Sequence, residues 1–176
     1  MFISPEQIIN SLNLKEGDIV ADFGCGAGAY VFAASKFVGD RGKVYAIDRF
    51  TDMIDKINRE AEKKSIINID GIVADVEEKI YLDNDSCDLI ILSNILSEVV
   101  NIDNLIKEAK RILRFDGRIL IADWKNTEEN ITLKRHSIIE EEKVLAILAK
   151  YNFDVIKHFP AGDYHYAFSI KNIESQ

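Results

Sequence analysis

The stretch that decides the fold reads Val20-Ala-Asp-Phe-Gly-Cys-Gly-Ala-Gly28, an apolar strand that runs into three glycines at alternate positions. Glycine allows positive φ and lets a ligand come close to main-chain N–H groups that a Cβ atom would shield. The next segment, 29–38, has a helical pattern, so its unpaired N–H groups and positive dipole end should face the same point. This order of strand, glycine turn and helix predicts a cradle for a small molecule.

The composition predicts a single domain over residues 1–176. Apolar side chains make up 47% of the chain, enough for a core without disulfides or a structural metal. No apolar run reaches the roughly 20 residues of a membrane-spanning helix and the start lacks a basic leader, so we expect a cytoplasmic protein. Cys25 and Cys87 have neither disulfide nor metal-ligand spacing, so no metal site is predicted. The formal charge of −8 argues against a nucleic-acid partner.

Beyond the opening stretch, apolar runs alternate with amphipathic helical patterns along most of the chain. Strands are predicted at 19–23, 43–48, 69–74, 89–93, 118–123, 153–159 and 164–170. Helices are predicted at 29–38, 51–64 and 102–113. Two further helices should begin at capping boxes, Ser4 with Gln7 and Ser137 with Glu140, and run to about residues 12 and 151.

The strand patterns predict the fold class. The run Asp88-Leu-Ile-Ile-Leu-Ser93 is apolar on both faces, as in a parallel sheet that helices cover on both sides. This pattern is typical of a doubly wound α/β fold. The last two strands are joined only by Pro160-Ala-Gly-Asp163, which is too short for a helical crossover. We therefore expect these two strands to form an antiparallel hairpin.

Three acidic residues stand at or just past the ends of the first three predicted strands. They are Asp22, Asp48 and Asp75. Any one of them could simply form a turn or cap a helix. In an open α/β sheet, however, the ligand crevice lies beyond the carboxyl ends of the strands, so all three should face one crevice. Their joint position around the glycine turn favours a ligand site.

The glycine turn alone leaves two cofactor classes open. Gly24-Cys-Gly26-Ala-Gly28-Ala29 fits the dinucleotide pattern G-x-G-x-x-A, and Asp48 has the spacing of a ribose-binding acid, so a nicotinamide oxidoreductase is one alternative. Asp22 favours a different cofactor class, because a carboxylate so close to the turn would repel the pyrophosphate of a dinucleotide. It suits a ligand with cationic groups and no phosphate, such as S-adenosylmethionine.

From about Lys15 to Trp124 the sequence resembles the class I S-adenosylmethionine-dependent methyltransferases, in particular their type 11 small-molecule group. The resemblance implies a Rossmann-like, doubly wound sheet of seven strands with only the last antiparallel and helices on both faces. It also implies that Asp22 and the glycines hold the methionine end of the cofactor, Asp48 both ribose hydroxyls, and Asp75 the adenine amino group. The full set of implied cofactor-binding residues is Asp22, Gly24, Cys25, Gly26, Gly28, Asp48, Arg49, Met53, Ala74, Asp75, Val76 and Asn94.

The sequence departs from the family pattern on the acceptor side. Where the family often has Leu-His-His-Val after the fourth strand, this chain has Leu96-Ser97-Glu98-Val99. A smaller change, Asp116-Gly117 for Gly-Gly, should alter only a turn. None of these changes removes a cofactor contact, so they bear on the acceptor alone.

The acceptor residues should follow the fourth and fifth strands or lie in the final hairpin. These positions are Asn94, Glu98, Asp123, Trp124, Tyr164 and His165. Among them, Asn94, Tyr164 and His165 are the candidates for a catalytic role, His165 because an imidazole titrates near neutral pH. A small organic acceptor and in-line methyl displacement are expected. A short cap over 125–136 also leaves room for a protein partner or a homodimer, and for a non-catalytic domain that only binds the cofactor.

Overall fold

The computed structural model describes residues 4–127 and 138–173. The strands are β1 (Ile19–Phe23), β2 (Lys43–Asp48), β3 (Ile69–Val73), β4 (Cys87–Ser93), β5 (Leu113–Trp124), β6 (Phe153–His158) and β7 (His165–Asn172). The helices are α1 (Pro5–Asn10), α2 (Ala29–Val38), α3 (Thr51–Lys63), α4 (Ile102–Ile112) and α5 (Glu141–Ala149). Within the described ranges, no helix is both long and apolar enough to cross a membrane.

All seven strands form one sheet in the order β3-β2-β1-β4-β5-β7-β6. Every pair from β3 to β5 is parallel, whereas β7 runs antiparallel to both of its neighbours, β5 and β6. This confirms the predicted fold and the terminal hairpin. The chain leaves β1 toward β2 and β3 and returns on the other side of β1 at β4, so the strand order reverses between β1 and β4. The glycine turn that follows β1 therefore lies at this switch point, where ligands bind in such sheets.

Helices cover both faces of the sheet, as predicted. In β4, Ile90 and Leu92 pack in a core with α4 and α5, while Leu89 and Ile91 pack in a second core with α1, α2 and α3. All four side chains are fully buried because successive side chains of a strand point to opposite faces. The uninterrupted apolar run in β4 follows from this double coverage.

The start of β5 was wrongly predicted at Arg118, since the strand begins at Leu113 directly after α4. Leu113 pairs with Cys87, whereas the next pair joins Arg118 to Leu89. Four residues of β5 therefore lie opposite one residue of β4, which makes a bulge. Its Asp116-Gly117 sequence has the composition of a turn, so local sequence does not reveal that strand pairing starts earlier.

The two helix starts that were predicted from capping boxes compare differently with the structure. Ser4 and Gln7 cap α1 reciprocally, as predicted. The predicted start of the last helix was wrong: Ser137 lies outside the described residues, 138–140 are not helical, and α5 begins at Glu141. The Glu140 side chain accepts a hydrogen bond from Asn126 Nδ2 at 2.7 Å and makes no cap hydrogen bond to the helix. A contact 14 residues away in the chain has replaced the local cap.

Candidate functional site

Two adjoining cavities lie at the switch point, beyond the carboxyl ends of the central strands. The larger has a volume of about 460 Å³ and the smaller about 220 Å³. Four residues line both cavities and so form the boundary between them: Gly24, Gly26, Asn94 and Glu98. An elongated ligand could therefore extend from one cavity to the other across the glycine turn.

The three glycines of the turn have different local roles. All have positive φ, at 70° for Gly24, 49° for Gly26 and 80° for Gly28. A Cβ on Gly24 would stand 2.5 Å from Ile95 Cδ1, whereas one on Gly26 would meet no atom within 4 Å and would project into open space. Gly28 lines neither cavity, and a Cβ on it would stand 3.0 Å from Phe32 and 3.1 Å from Ile57.

Asp48, the last residue of β2, lines the smaller cavity. Its Oδ2 accepts a hydrogen bond from the backbone N–H of Gly26 at 2.9 Å, and its Oδ1 accepts one from Phe50 N–H at 3.0 Å. Only 7% of Asp48 is exposed. The carboxylate thus joins β2 to the glycine turn, and each oxygen keeps a further lone pair for a ligand.

Nine of the residues that the sequence assigned to cofactor binding line the smaller cavity: Gly24, Gly26 and Asn94 are shared with the larger cavity, and six line this cavity alone. Besides Asp48 they are Arg49, Met53, Ala74, Asp75 and Val76. Asp75 follows β3, and its Oδ1 accepts a hydrogen bond from Glu77 N–H at 2.9 Å, which fixes the side chain at the cavity wall. The strand-end acids of β2 and β3 therefore face the same space.

Asp22 lies deep in the larger cavity with 2% of its surface exposed. Burial, with a smaller contribution from the nearby charge of Asp48, raises the pKa of Asp22 to about 7. None of the described residues donates a hydrogen bond to its carboxylate. A buried carboxylate in this state favours a cationic partner, because a cation would offset the cost of burying its charge.

Tyr30 and Ser93 also line the larger cavity, and sequence analysis missed both. Burial, and to a smaller extent the charge of Asp22, raise the pKa of Tyr30 to about 12, while the nearby Ser93 opposes the rise. A signal for Ser93 was present, since it is the last residue of β4 and thus stands at the crevice edge of the sheet. Tyr30 lies in the first turn of α2, directly after the glycine turn.

Cys25, also assigned to the cofactor, lines the larger cavity and is buried. Burial raises the pKa of its thiol, so it stays protonated and serves as a small neutral wall residue.

The candidate acceptor residues divide into two groups. Asn94, which has a φ of 52°, lines both cavities with Glu98, and His165 lines the larger one. Tyr164 lines neither cavity and is 42% exposed. Asp123 and Trp124 also lie outside both linings, although the Trp124 ring packs on His165 with 3.8 Å between centroids.

Residues 14–164 match the model of a family described as "Methyltransferase domain". The chain is 30% identical in sequence to an S-adenosylmethionine-dependent methyltransferase from Aquifex aeolicus. The crystal structure of that protein matches the fold of this chain with a TM-score of 0.86. The match covers 94% of this chain and 88% of that one.

Two curated relatives match shorter parts of the chain. The probable cobalt-precorrin-6B C(15)-methyltransferase (decarboxylating) of Saccharolobus solfataricus is 42% identical over 60 residues, which is 34% of this chain and 30% of the relative. The ubiquinone/menaquinone biosynthesis C-methyltransferase of Pseudoalteromonas translucida is 30% identical over 132 residues, or 74% of this chain and 52% of the relative. The chain thus spans about half or less of the length of these relatives.

Proposed function

We propose that this chain, which belongs to the S-adenosylmethionine-dependent methyltransferases, transfers a methyl group to a small-molecule acceptor. The cofactor of that family is S-adenosyl-L-methionine. When bound, it supplies a methyl group already activated on a sulfonium sulfur, so the protein's own task is to hold and align the reactants. The junction of the two cavities at the glycine turn is the observation that carries the proposal.

The cofactor fits the two cavities in one direction. In the larger cavity, the buried Asp22 carboxylate suits the ammonium group of the methionine portion. Asp48 in the smaller cavity has lone pairs left for the ribose hydroxyls, and Asp75 can accept from the adenine amino group. The open space over Gly26 leaves room for the ligand to cross between them.

A dinucleotide fits this site poorly. Its pyrophosphate would lie at the glycine turn, between the carboxylates of Asp22 and Asp48. Among the described residues, no lysine or arginine lines the larger cavity, and the one cation of the smaller cavity is Arg49. Coulomb repulsion therefore disfavours a nicotinamide cofactor, in agreement with the family of the chain.

The chain's own residues would act mainly by alignment. An acceptor atom must approach the methyl carbon in line with the bond that breaks, and orientation of this kind can contribute roughly 7 to 11 kcal/mol. We assign this role to Asn94 and Glu98 at the cavity junction, and to His165 across the larger cavity. His165 would also take the proton where the acceptor has to lose one. Tyr164, which lies outside both linings, has no role in this scheme.

Two observations support a small acceptor. The larger cavity, at about 460 Å³, must hold the methionine portion of the cofactor as well as the acceptor, so the space left for the acceptor is that of a small molecule. Two relatives are named for small-molecule chemistry: one as a cobalt-precorrin-6B methyltransferase and one as a methyltransferase of ubiquinone/menaquinone biosynthesis. The non-catalytic alternative rested on a short cap over 125–136, most of which lies outside the described residues, and on the changed Leu96–Val99 motif. Glu98 of that motif lines both cavities, which suits a working acceptor site.

Calorimetry with S-adenosylmethionine, S-adenosylhomocysteine and NAD tests the cofactor side. We expect binding of the first two and none of NAD; NAD binding without S-adenosylhomocysteine binding would reverse the assignment.

A labelled-methyl assay against small-molecule and protein fractions of a cell extract tests the acceptor. Label should enter the small-molecule fraction. Label confined to protein would refute the small-molecule acceptor, and no transfer by cofactor-loaded protein would favour the non-catalytic alternative.

A further inference from the structure

Asp123 is a buried carboxylate near the end of β5 that lines neither cavity. Its Oδ2 accepts a hydrogen bond from Leu96 N–H at 2.9 Å and its Oδ1 accepts one from Trp124 N–H at 2.8 Å. Burial raises the pKa of Asp123, while these hydrogen bonds oppose the rise. Asp123 lines neither cavity, so any influence that it has on the site passes through the backbone groups that it holds.

The first of these groups is the turn between β4 and α4, residues 94–99. Asn94 and Glu98 of this turn form the boundary between the two cavities, and Ile95 and Val99 line the smaller one. The far end of the loop is held by a second carboxylate, since Glu77 accepts hydrogen bonds from the N–H groups of residues 100 and 101. Carboxylates from other parts of the chain thus hold this segment at two places, Asp123 at Leu96 and Glu77 at residues 100 and 101.

The second group is Trp124. Its ring is tilted by 40° on the His165 ring at 3.8 Å between centroids, and His165 lines the larger cavity. A shift of the Trp124 backbone would move the surface on which His165 rests. One buried carboxylate therefore contacts both the turn at the cavity junction and the residue whose ring packs on His165.

We propose that Asp123 is a positioning residue, which aligns the 94–99 turn with the Trp124–His165 pair and so sets the shape of the site that holds cofactor and acceptor. The inference rests on the proposed function. It assigns Asp123 no contact with either reactant. The loss of one oxygen acceptor should leave a buried backbone N–H group without a partner and let the turn move.

The test compares Asp123→Asn with a matched control, Glu108→Gln. Glu108 is also a buried carboxylate that accepts a backbone hydrogen bond, from Ile80 N–H at 2.7 Å, but it lines neither cavity. At temperatures where each protein is fully folded, Asp123→Asn should weaken S-adenosylhomocysteine binding by about tenfold or more and the control by less than about twofold. Equal effects of the two variants, or wild-type affinity in Asp123→Asn, would overturn the inference.

Trp124 gives a readout that lost stability alone would not change, because it is the only tryptophan of the chain. Acrylamide should quench its fluorescence more strongly in Asp123→Asn than in wild type, and equally in Glu108→Gln and wild type. Unchanged quenching in Asp123→Asn would count against the inference.

If Asp123→Asn fails to fold, amide exchange of the wild-type protein decides the question. The N–H groups of Leu96 and Trp124 should exchange slowly, and fast exchange of either would overturn the positioning role. Wild-type protein that binds no S-adenosylhomocysteine would instead refute the proposed function, and this inference with it. The two failures are therefore distinguishable.

Discussion

Replacing Asp22 with Asn should stabilise the protein without ligand while it weakens cofactor binding. The carboxyl has an ordinary pKa of 3.8, and burial raises the pKa of Asp22 to about 7 in the folded chain. At pH values between these two pKa values, Asp22 keeps its proton in the folded protein and has lost it in the unfolded chain. The free energy of unfolding of the wild type therefore falls as pH rises from about 4 to about 7, and then stays level with respect to this group.

The size of the effect follows from the two pKa values. The difference between 3.8 and about 7 corresponds to about 4 kcal/mol, which is the upper bound on what the charged carboxylate costs above pH 7. An asparagine amide of the same shape carries no charge, but it also loses water on burial. We therefore expect Asp22→Asn to raise the free energy of unfolding at pH 8 by about 2 kcal/mol, and by much less at pH 4.5.

Urea unfolding at both pH values, followed by circular dichroism, measures this difference. The control is Asp55→Asn on the exposed side of α3, where the same change of charge should shift stability little at either pH. Calorimetry should show at least tenfold weaker S-adenosylmethionine binding by Asp22→Asn at pH 8, about 1.4 kcal/mol. A variant that is no more stable than wild type at pH 8, or that binds the cofactor equally well, would refute the reasoning.

Three further changes test other parts of the site. Asp48→Ala removes the acceptor for Gly26 N–H and the proposed ribose ligand, so calorimetry should give at least tenfold weaker S-adenosylhomocysteine binding; unchanged affinity would reduce Asp48 to a turn former. Gly24→Ala places a Cβ 2.5 Å from Ile95 Cδ1 at positive φ and should lower the melting temperature more than Gly26→Ala, whose Cβ meets open space; equal losses in thermal unfolding would contradict this. Tyr30→Phe removes a hydroxyl from the lining of the larger cavity and should weaken cofactor binding severalfold; wild-type affinity in calorimetry would remove Tyr30 from the site.

Much of the fold and the cofactor half of the candidate site could be predicted from short-range patterns. The glycine turn, its flanking strand and helix, and the acids at strand ends are local features. The switch point places Asp22 in the larger of two adjoining cavities, and Asp48 and Asp75 in the smaller one. The starts of β5 and α5, which were predicted wrongly, depend instead on partners that are distant in the chain. Leu113 becomes part of a strand because it pairs with Cys87.

The acceptor half was less predictable because chain position does not determine which way a side chain faces. Tyr164 and His165 are adjacent, yet only His165 lines the larger cavity. Asp123 stands at a strand end like Asp22, but its carboxylate is directed to the backbone of Leu96 and Trp124. A strand-end rule identifies such positions as candidates, and only the packed structure separates a ligand-facing acid from one that supports a loop.

The hydrogen bond from Gly26 N–H to Asp48 has a consequence for how tightly the site can bind a ligand. A glycine-rich turn is the most entropically costly kind of backbone to order, yet the carboxylate of the neighbouring strand holds this one through a hydrogen bond within the protein itself. An incoming nucleoside then meets a preorganised surface, and little of its binding energy is spent on ordering the backbone. The turn should accordingly superpose in the empty and occupied forms, and its amides should be protected from exchange in both.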